Sequence, residues 1–163
     1  PINWYAGKQY DDCIGATHEV LRNFDKEFPH WNGRGYEIKG FAWWQGDKDR
    51  YVEAHAVNYE KNLVRLIKTL RAEFNAPKAM FVVATLGQTA KDAQPSNDKL
   101  ILDAQLSVDG ATGKYPEFKG NVSTVYTHPL SQGGASNSHY NGNAQTYMDV
   151  GLAMGEAMVE LLK

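Results

Sequence analysis

Gln45, Gly46 and Asp47 stand together where an apolar, aromatic run, Phe41-Ala42-Trp43-Trp44, turns polar. Amide, glycine and carboxylate in that order suit chemistry at a strand end. The amide can donate to a developing negative charge, the glycine permits a tight turn, and the carboxylate can orient a base. The same triplet also serves as an ordinary strand-to-helix turn. Much later, His139 lies in Ser136-Asn137-Ser138-His139-Tyr140-Asn141-Gly142, directly before a helical pattern. A histidine there can act as a general base near neutral pH, or can simply hydrogen-bond the backbone at a helix entry. Of the other histidines, His18, His30 and His55 read as surface or packing positions. His128, before Pro129, follows a strand but has no supporting motif.

Three requirements of acyl transfer can be met by these residues: His139 as base, Asp47 as the carboxylate that orients it, and the Gln45 amide as an oxyanion donor. The fourth is a serine nucleophile on a tight turn after a strand, and no serine here satisfies it. Ser136 and Ser138 are too close in sequence to His139, and Ser96, Ser107 and Ser123 lie in unsuitable contexts. Histidines and carboxylates do not fall at metal-ligand spacing, and neither a metal nor a cofactor is expected.

The elements that must position these residues follow from periodicity. Spacing predicts a helix over 11–28, with Ile14, Val20, Leu21, Phe24 and Phe28 on one broad face, stopped by Pro29. A strand over 36–44 leads into Gln45. A strongly amphipathic helix over 51–74 follows, then a continuous apolar strand, 79–85, of the kind buried on both faces. After a polar loop, 86–97, come a helix over 98–108, a strand over 121–127, a loop rich in Ser, Gly and Asn, and a last helix over 144–162. That helix is expected to bury Tyr147, Val150, Met154, Met158 and Leu161, with Gly151 and Gly155 allowing close approach. The alternation predicts an α/β protein, a parallel sheet between two layers of helices. Three strands are few for such a sheet, so either the protein is small or strands are missing at the front.

The 163 residues suit one domain with a real core. A net charge of −2 and a pI near 6.2 give no sign of a nucleic-acid or anionic-membrane partner. No run approaches transmembrane length, and no signal peptide is recognisable. The single cysteine, Cys13, cannot form an internal disulfide and reads as a packing residue. The chain opens at Pro1 without an initiator methionine, which looks like a truncated or processed polypeptide.

Trp43-Trp44-Gln45-Gly46-Asp47, then Tyr59 with Asn62-Leu63, then His139 before a closing helix, resembles the second half of an SGNH-type carbohydrate esterase. The resemblance is to the sialate O-acetylesterase and acetylxylan esterase group, and it covers roughly residue 36 to the C-terminus. It implies a flavodoxin-like SGNH fold with five parallel strands in the order 2-1-3-4-5, this chain supplying the last three. It implies that residues 1–163 are the C-terminal portion of one such domain. By the resemblance, Gln45 helps form the oxyanion hole, Asp47 takes the place of an acid that is usually Glu, and His139 is the base. The nucleophilic serine belongs to a Gly-Gln-Ser-Asn-like block on the first strand and is absent here. Many relatives also carry Asp three residues before the histidine, where this chain has Ser136.

The expected substrate is an acetylated carbohydrate, with Trp44 as a substrate contact. The expected location is secreted or periplasmic. A segment from the N-terminal part of the same gene product is expected to pair beside residues 36–44 and bring the serine. Two alternatives stand beside this reading: a non-catalytic carbohydrate-binding domain on the same fold, and an esterase of another acyl class.

Overall fold

Met80, Phe81, Val82, Val83 and Ala84 have no polar side chain among them, and they form the middle strand of a parallel sheet. The computed structural model describes residues 7–132 and 139–163, in two compact units that divide after Glu37. In the larger unit, β1 (Gly40–Trp43), β2 (Met80–Ala84) and β3 (Val122–Val125) lie in the order β1-β2-β3. Both pairings are parallel, with Ala42 opposite Val82 and Val82 opposite Ser123. The α/β architecture read from the alternation is the one observed. The strand over 36–44 is shorter than expected, because pairing begins only at Gly40.

Three helices flank this sheet: α3 (Glu53–Glu73), α4 (Asn97–Ser107) and α5 (Ala144–Leu161). Along α3, Ala56, Tyr59, Leu63 and Ile67 recur at helical spacing, so one stripe is buried. They pack with Phe81 and Val83 of β2 and with Ile101, Ala104 and Val108 of the α4 region. Each fully buried large apolar side chain contributes about 1.5–3 kcal/mol. Ser96 caps α4 by accepting from the Lys99 N–H, and Asn143 caps α5 by accepting from Thr146 N–H.

Successive side chains on a strand face opposite sides. Val82 and Ala84 therefore face away from Phe81 and Val83, towards α5, which packs on β2 and β3. Both are wholly buried, whereas Ala42, the register partner of Val82, is exposed. On that face α5 reaches β1 at Gly40, where Met158 lies against the strand, but leaves Ala42 uncovered. Nor does α5 bury all that its pattern suggests. Val150 is buried, Tyr147 is exposed, and Met154, Met158 and Leu161 are half-buried. A Cβ added at Gly151 or Gly155 would meet nothing within 4 Å, so the expected close approach is not made. Met148, Leu152 and Val159 beside them are more than half exposed.

The two sheet edges differ. Outside β3, the Gly110 N–H donates to the Val122 carbonyl, and the Asp109 carboxylate accepts from the Thr124 N–H at 2.9 Å. Outside β1, no strand is paired among the described residues.

In the smaller unit, the single helix expected over 11–28 is two: α1 (Lys8–Arg22) and α2 (Phe24–Glu27). Asn23 breaks it, its backbone and side-chain amides both donating to the Glu19 carbonyl. Phe24 packs on Phe28 and Tyr36, so α2 closes a local aromatic cluster. No residue of α1 is buried, and Cys13, expected to pack, is exposed.

The core generates one expectation. Phe118 is 1 % exposed and belongs to the α3–β2–α4 cluster. Phe118→Ala should destabilise the larger unit by about 3–5 kcal/mol, read as a lower urea midpoint by circular dichroism.

Candidate active site

Where β1 ends, the backbone turns at Gly46 with φ +138°, a conformation that side-chain-bearing residues rarely adopt. A Cβ there would also press on Ile101 and the Tyr59 hydroxyl at 3.0 and 3.3 Å. The turn is held from below by buried polar groups. Tyr59 donates its hydroxyl to the Gln45 carbonyl at 2.7 Å, and Gln105 donates Nε2 to the same carbonyl at 2.9 Å. Gln105 is fully buried, and its Oε1 accepts from the Leu86 N–H, so one side chain joins the ends of β1 and β2.

The Gln45 side chain is oriented at both ends. Its Nε2 donates to Asp49 at 2.6 Å, and its Oε1 lies 3.3 Å from the Tyr59 hydroxyl. One amide hydrogen has no acceptor among the described residues, and it is the one free to meet a ligand. Burial, with the nearby Asp49 charge, pushes the Tyr59 hydroxyl up to about 12, so it stays a neutral donor.

Asp47 is held on one oxygen. Arg50 Nε donates to Oδ1 at 2.9 Å, and Gln88 Nε2 donates to the same atom at 3.1 Å. Arg50 also reaches Asp98 at the start of α4, at 3.3 Å, and lies over the Tyr51 ring. Burial works against the guanidinium charge, but the bond to Asp47 and the Asp98 charge outweigh it and raise the Arg50 pKa. Oδ2 of Asp47 is uncommitted among the described residues.

The loop after β2 faces this carboxylate and also holds the turn that carries His139. The Gly87 N–H donates to the Tyr140 hydroxyl at 3.0 Å, and that hydroxyl lies 3.4 Å from Gln88 Oε1. A Cβ on Gly87 would fall on the Ser131 side chain, so no larger residue fits. Tyr140 is 5 % exposed and stacks on Trp44, with ring centroids 5.7 Å apart; Tyr147 packs against Trp44 at 5.5 Å. Gln45, Asp47 and Trp44 are thus brought to one sheet edge with the residue that follows His139. His139 itself is exposed, with its carbonyl accepting from the Tyr147 hydroxyl. No hydrogen bond or ion pair joins its imidazole to Asp47 among the described residues. Ser136 falls outside them.

His139, Tyr140 and Asn141 all have φ between +50° and +57°, three consecutive non-glycine residues in the left-handed region. Each such residue costs on the order of 1–3 kcal/mol, and clusters of them mark functional turns. His128 also reaches this edge: its Nδ1 donates to the Gly87 carbonyl at 2.7 Å, because a carbonyl can only accept. Among the described residues no group of three His, Cys, Asp or Glu could hold a metal, and no helix is long and apolar enough to cross a membrane.

A family model described as carbohydrate esterase, sialic acid-specific acetylesterase, matches residues 1–160. The chain belongs to this carbohydrate esterase family. It is also similar to the X-ray structure of a protein from Arabidopsis thaliana, at 21 % identity and a TM-score of 0.56. That similarity covers 90 % of this chain and 52 % of the other, so this chain spans about half the length of that protein. At this identity the likeness speaks for the fold. No curated protein matches the chain.

Gln88, Gln105, Arg50 and Tyr140 were not among the residues singled out in the sequence. Gln105 alone left a legible signal, a polar residue four after Ile101 on the buried side of an apolar helix. The site generates a pH expectation through Tyr59. Its folded-state value of about 12 lies above the ordinary 10. Its contribution is therefore complete below pH 10 and is lost as pH rises towards 12. Urea midpoints should fall between about pH 9 and about pH 11, and fall less in Tyr59→Phe, which starts lower by about 1 kcal/mol for the lost hydrogen bond.

Proposed function

We propose that this chain is part of a carbohydrate O-acetylesterase that removes acetyl groups from sugar hydroxyls by serine–histidine–carboxylate chemistry. The observation that supports this most is the meeting of three loops at one sheet edge, with Trp44 stacked on Tyr140 and Gln88 bonded to Asp47. That arrangement sets the amide–glycine–carboxylate turn beside the turn that carries His139.

In this reading a serine Oγ attacks the acetyl carbonyl carbon while His139 takes the hydroxyl proton. Asp47, through the oxygen not used by Arg50 and Gln88, orients the imidazole and balances the imidazolium charge. The free Gln45 N–H donates to the carbonyl oxygen as it becomes negative. The imidazolium returns the proton to the departing sugar oxygen. Water, deprotonated by the same histidine, then releases acetate from the acetyl-serine. Trp44 contributes to the sugar contact with the surface not covered by Tyr140.

The serine comes from a segment outside this chain, the N-terminal part of the same gene product, paired beside residues 36–44. Three features support such a segment. The outer edge of β1 carries no strand among the described residues, Ala42 is exposed on the α5 side of the sheet, and the apolar flank of α5 is open. Backbone donors on an apolar strand otherwise face only solvent. In this reading the enzyme works outside the cytoplasm, secreted or periplasmic, and the family resemblance supports that location.

The full-length polypeptide tests the proposal directly. It should hydrolyse p-nitrophenyl acetate, and acetate release from O-acetylated sialic acid against acetylxylan then identifies the sugar. His139→Ala should abolish nearly all turnover, because the nucleophile loses its proton acceptor. Gln45→Ala should lower kcat by about 10²–10³. An unchanged kcat with a raised KM makes Gln45 a binding residue instead. In a structure of the full-length polypeptide, a parallel strand should cover the free edge of β1 and end in a serine near His139. An edge covered only by solvent or a helix would remove the nucleophile from the proposal.

A further inference from the structure

We propose that Gln88 is a positioning residue that fixes the Asp47 carboxylate relative to the His139 turn. This inference rests on the reading of Asp47 as the acid. The direction of every hydrogen bond around Gln88 follows from chemistry. An ionised carboxylate only accepts, so Nε2 of Gln88 must be the end that faces Asp47 Oδ1, at 3.1 Å. Oε1 then faces the Tyr140 hydroxyl at 3.4 Å and can only accept from it. The Tyr140 oxygen in turn accepts the Gly87 N–H at 3.0 Å. One polarity therefore runs from the backbone of the β2 loop, through the residue next to His139, to the carboxylate. A flipped Gln88 amide would set oxygen against oxygen at Asp47 and an N–H against a hydroxyl that has lost its acceptor.

Arg50 alone cannot do the same work. It meets the same Oδ1, but it belongs to the loop of Asp47 itself, three residues on. Its second partner, Asp98, ties it to α4 rather than to the His139 turn. Gln88 is the bond that crosses from the β2 loop to the β1 loop. With two donors on Oδ1, one from each loop, the carboxylate is tied to both, and Oδ2 is the oxygen left to accept from the imidazole. Gln88 is half-buried, so the bond is only partly screened by water.

The test is a double-mutant cycle in the full-length enzyme, with p-nitrophenyl acetate as substrate and thermal melts as the control for folding. Gln88→Leu should lower kcat about tenfold or more with KM within about twofold, in the range of coupled neighbours. In an Asp47→Ala background the same substitution should cost nothing further, since the group it positions is gone. Tyr140→Phe, which removes only the hydroxyl that orients Gln88, should give a smaller loss that also vanishes in the Asp47→Ala background. If Gln88→Leu folds poorly, this second variant decides the matter. Equal losses in both backgrounds would mean that Gln88 acts on the loop as a whole and would overturn the inference, as would a silent Gln88→Leu. Asp47→Ala with wild-type kcat would instead refute the assignment of the acid itself, and this inference with it.

Discussion

A single carbonyl oxygen, that of Gln45, organises the site. It ends β1, and two buried donors meet it: the Tyr59 hydroxyl from α3 and the Gln105 amide from α4. Both helices must be seated on the sheet before those donors are in place. Gln105 also uses its oxygen on the Leu86 N–H, so the β1 and β2 ends are fixed to each other through one side chain. A buried amide left half-satisfied would cost about 1–3 kcal/mol, so the network favours one arrangement of the strand ends over any slipped one. Glycine at position 46 lets the backbone turn at φ +138° beside this clamp, where a side chain would press on Ile101 and Tyr59.

Charge is arranged around the same turn with one cation at its centre. Arg50 lies between Asp47 and Asp98 and over Tyr51, and only 13 % of its side chain is exposed. It makes a carboxylate at a half-buried sheet edge tolerable. Asp49 is used differently, since it accepts one Gln45 N–H and so fixes the amide, leaving the other N–H without an acceptor among the described residues. The two aspartates two residues apart thus have separate work: one is neutralised by Arg50, the other aims an amide.

Most of the fold could be read from periodicity, because each helix and strand carries its burial pattern locally. Ala56, Tyr59, Leu63 and Ile67 mark the inner stripe of α3 as plainly in the sequence as in the structure. The errors came where a side chain overrode the pattern. Asn23 splits the first helix by bonding back to Glu19, which no apolar spacing reveals. Tyr147 falls on the apolar period of α5, yet it is exposed and packs on Trp44 instead. Of the site, Gln45, Gly46 and Asp47 were visible because the polarity change coincides with a strand end. Gln88 and Tyr140 were not, since their significance depends on distances across some 40 to 50 residues of chain that only the folded sheet closes.

The unequal sheet edges limit how copies of this chain can meet. Outside β3, Asp109 and Gly110 already occupy outward-facing backbone groups, and the lowered pKa of Asp109, achieved by four hydrogen bonds against its burial, keeps that carboxylate charged. Among the described residues β1 has no strand on its outer side, the side the proposed N-terminal segment would cover. A filament built through sheet edges needs two such sides on every subunit, one to receive and one to extend. With one open side, two chains that paired β1 to β1 would leave nothing exposed for a third. Such a contact would be a closed twofold pair where edge-to-edge growth ends, and a strand of the same polypeptide seated on β1 would preclude even that.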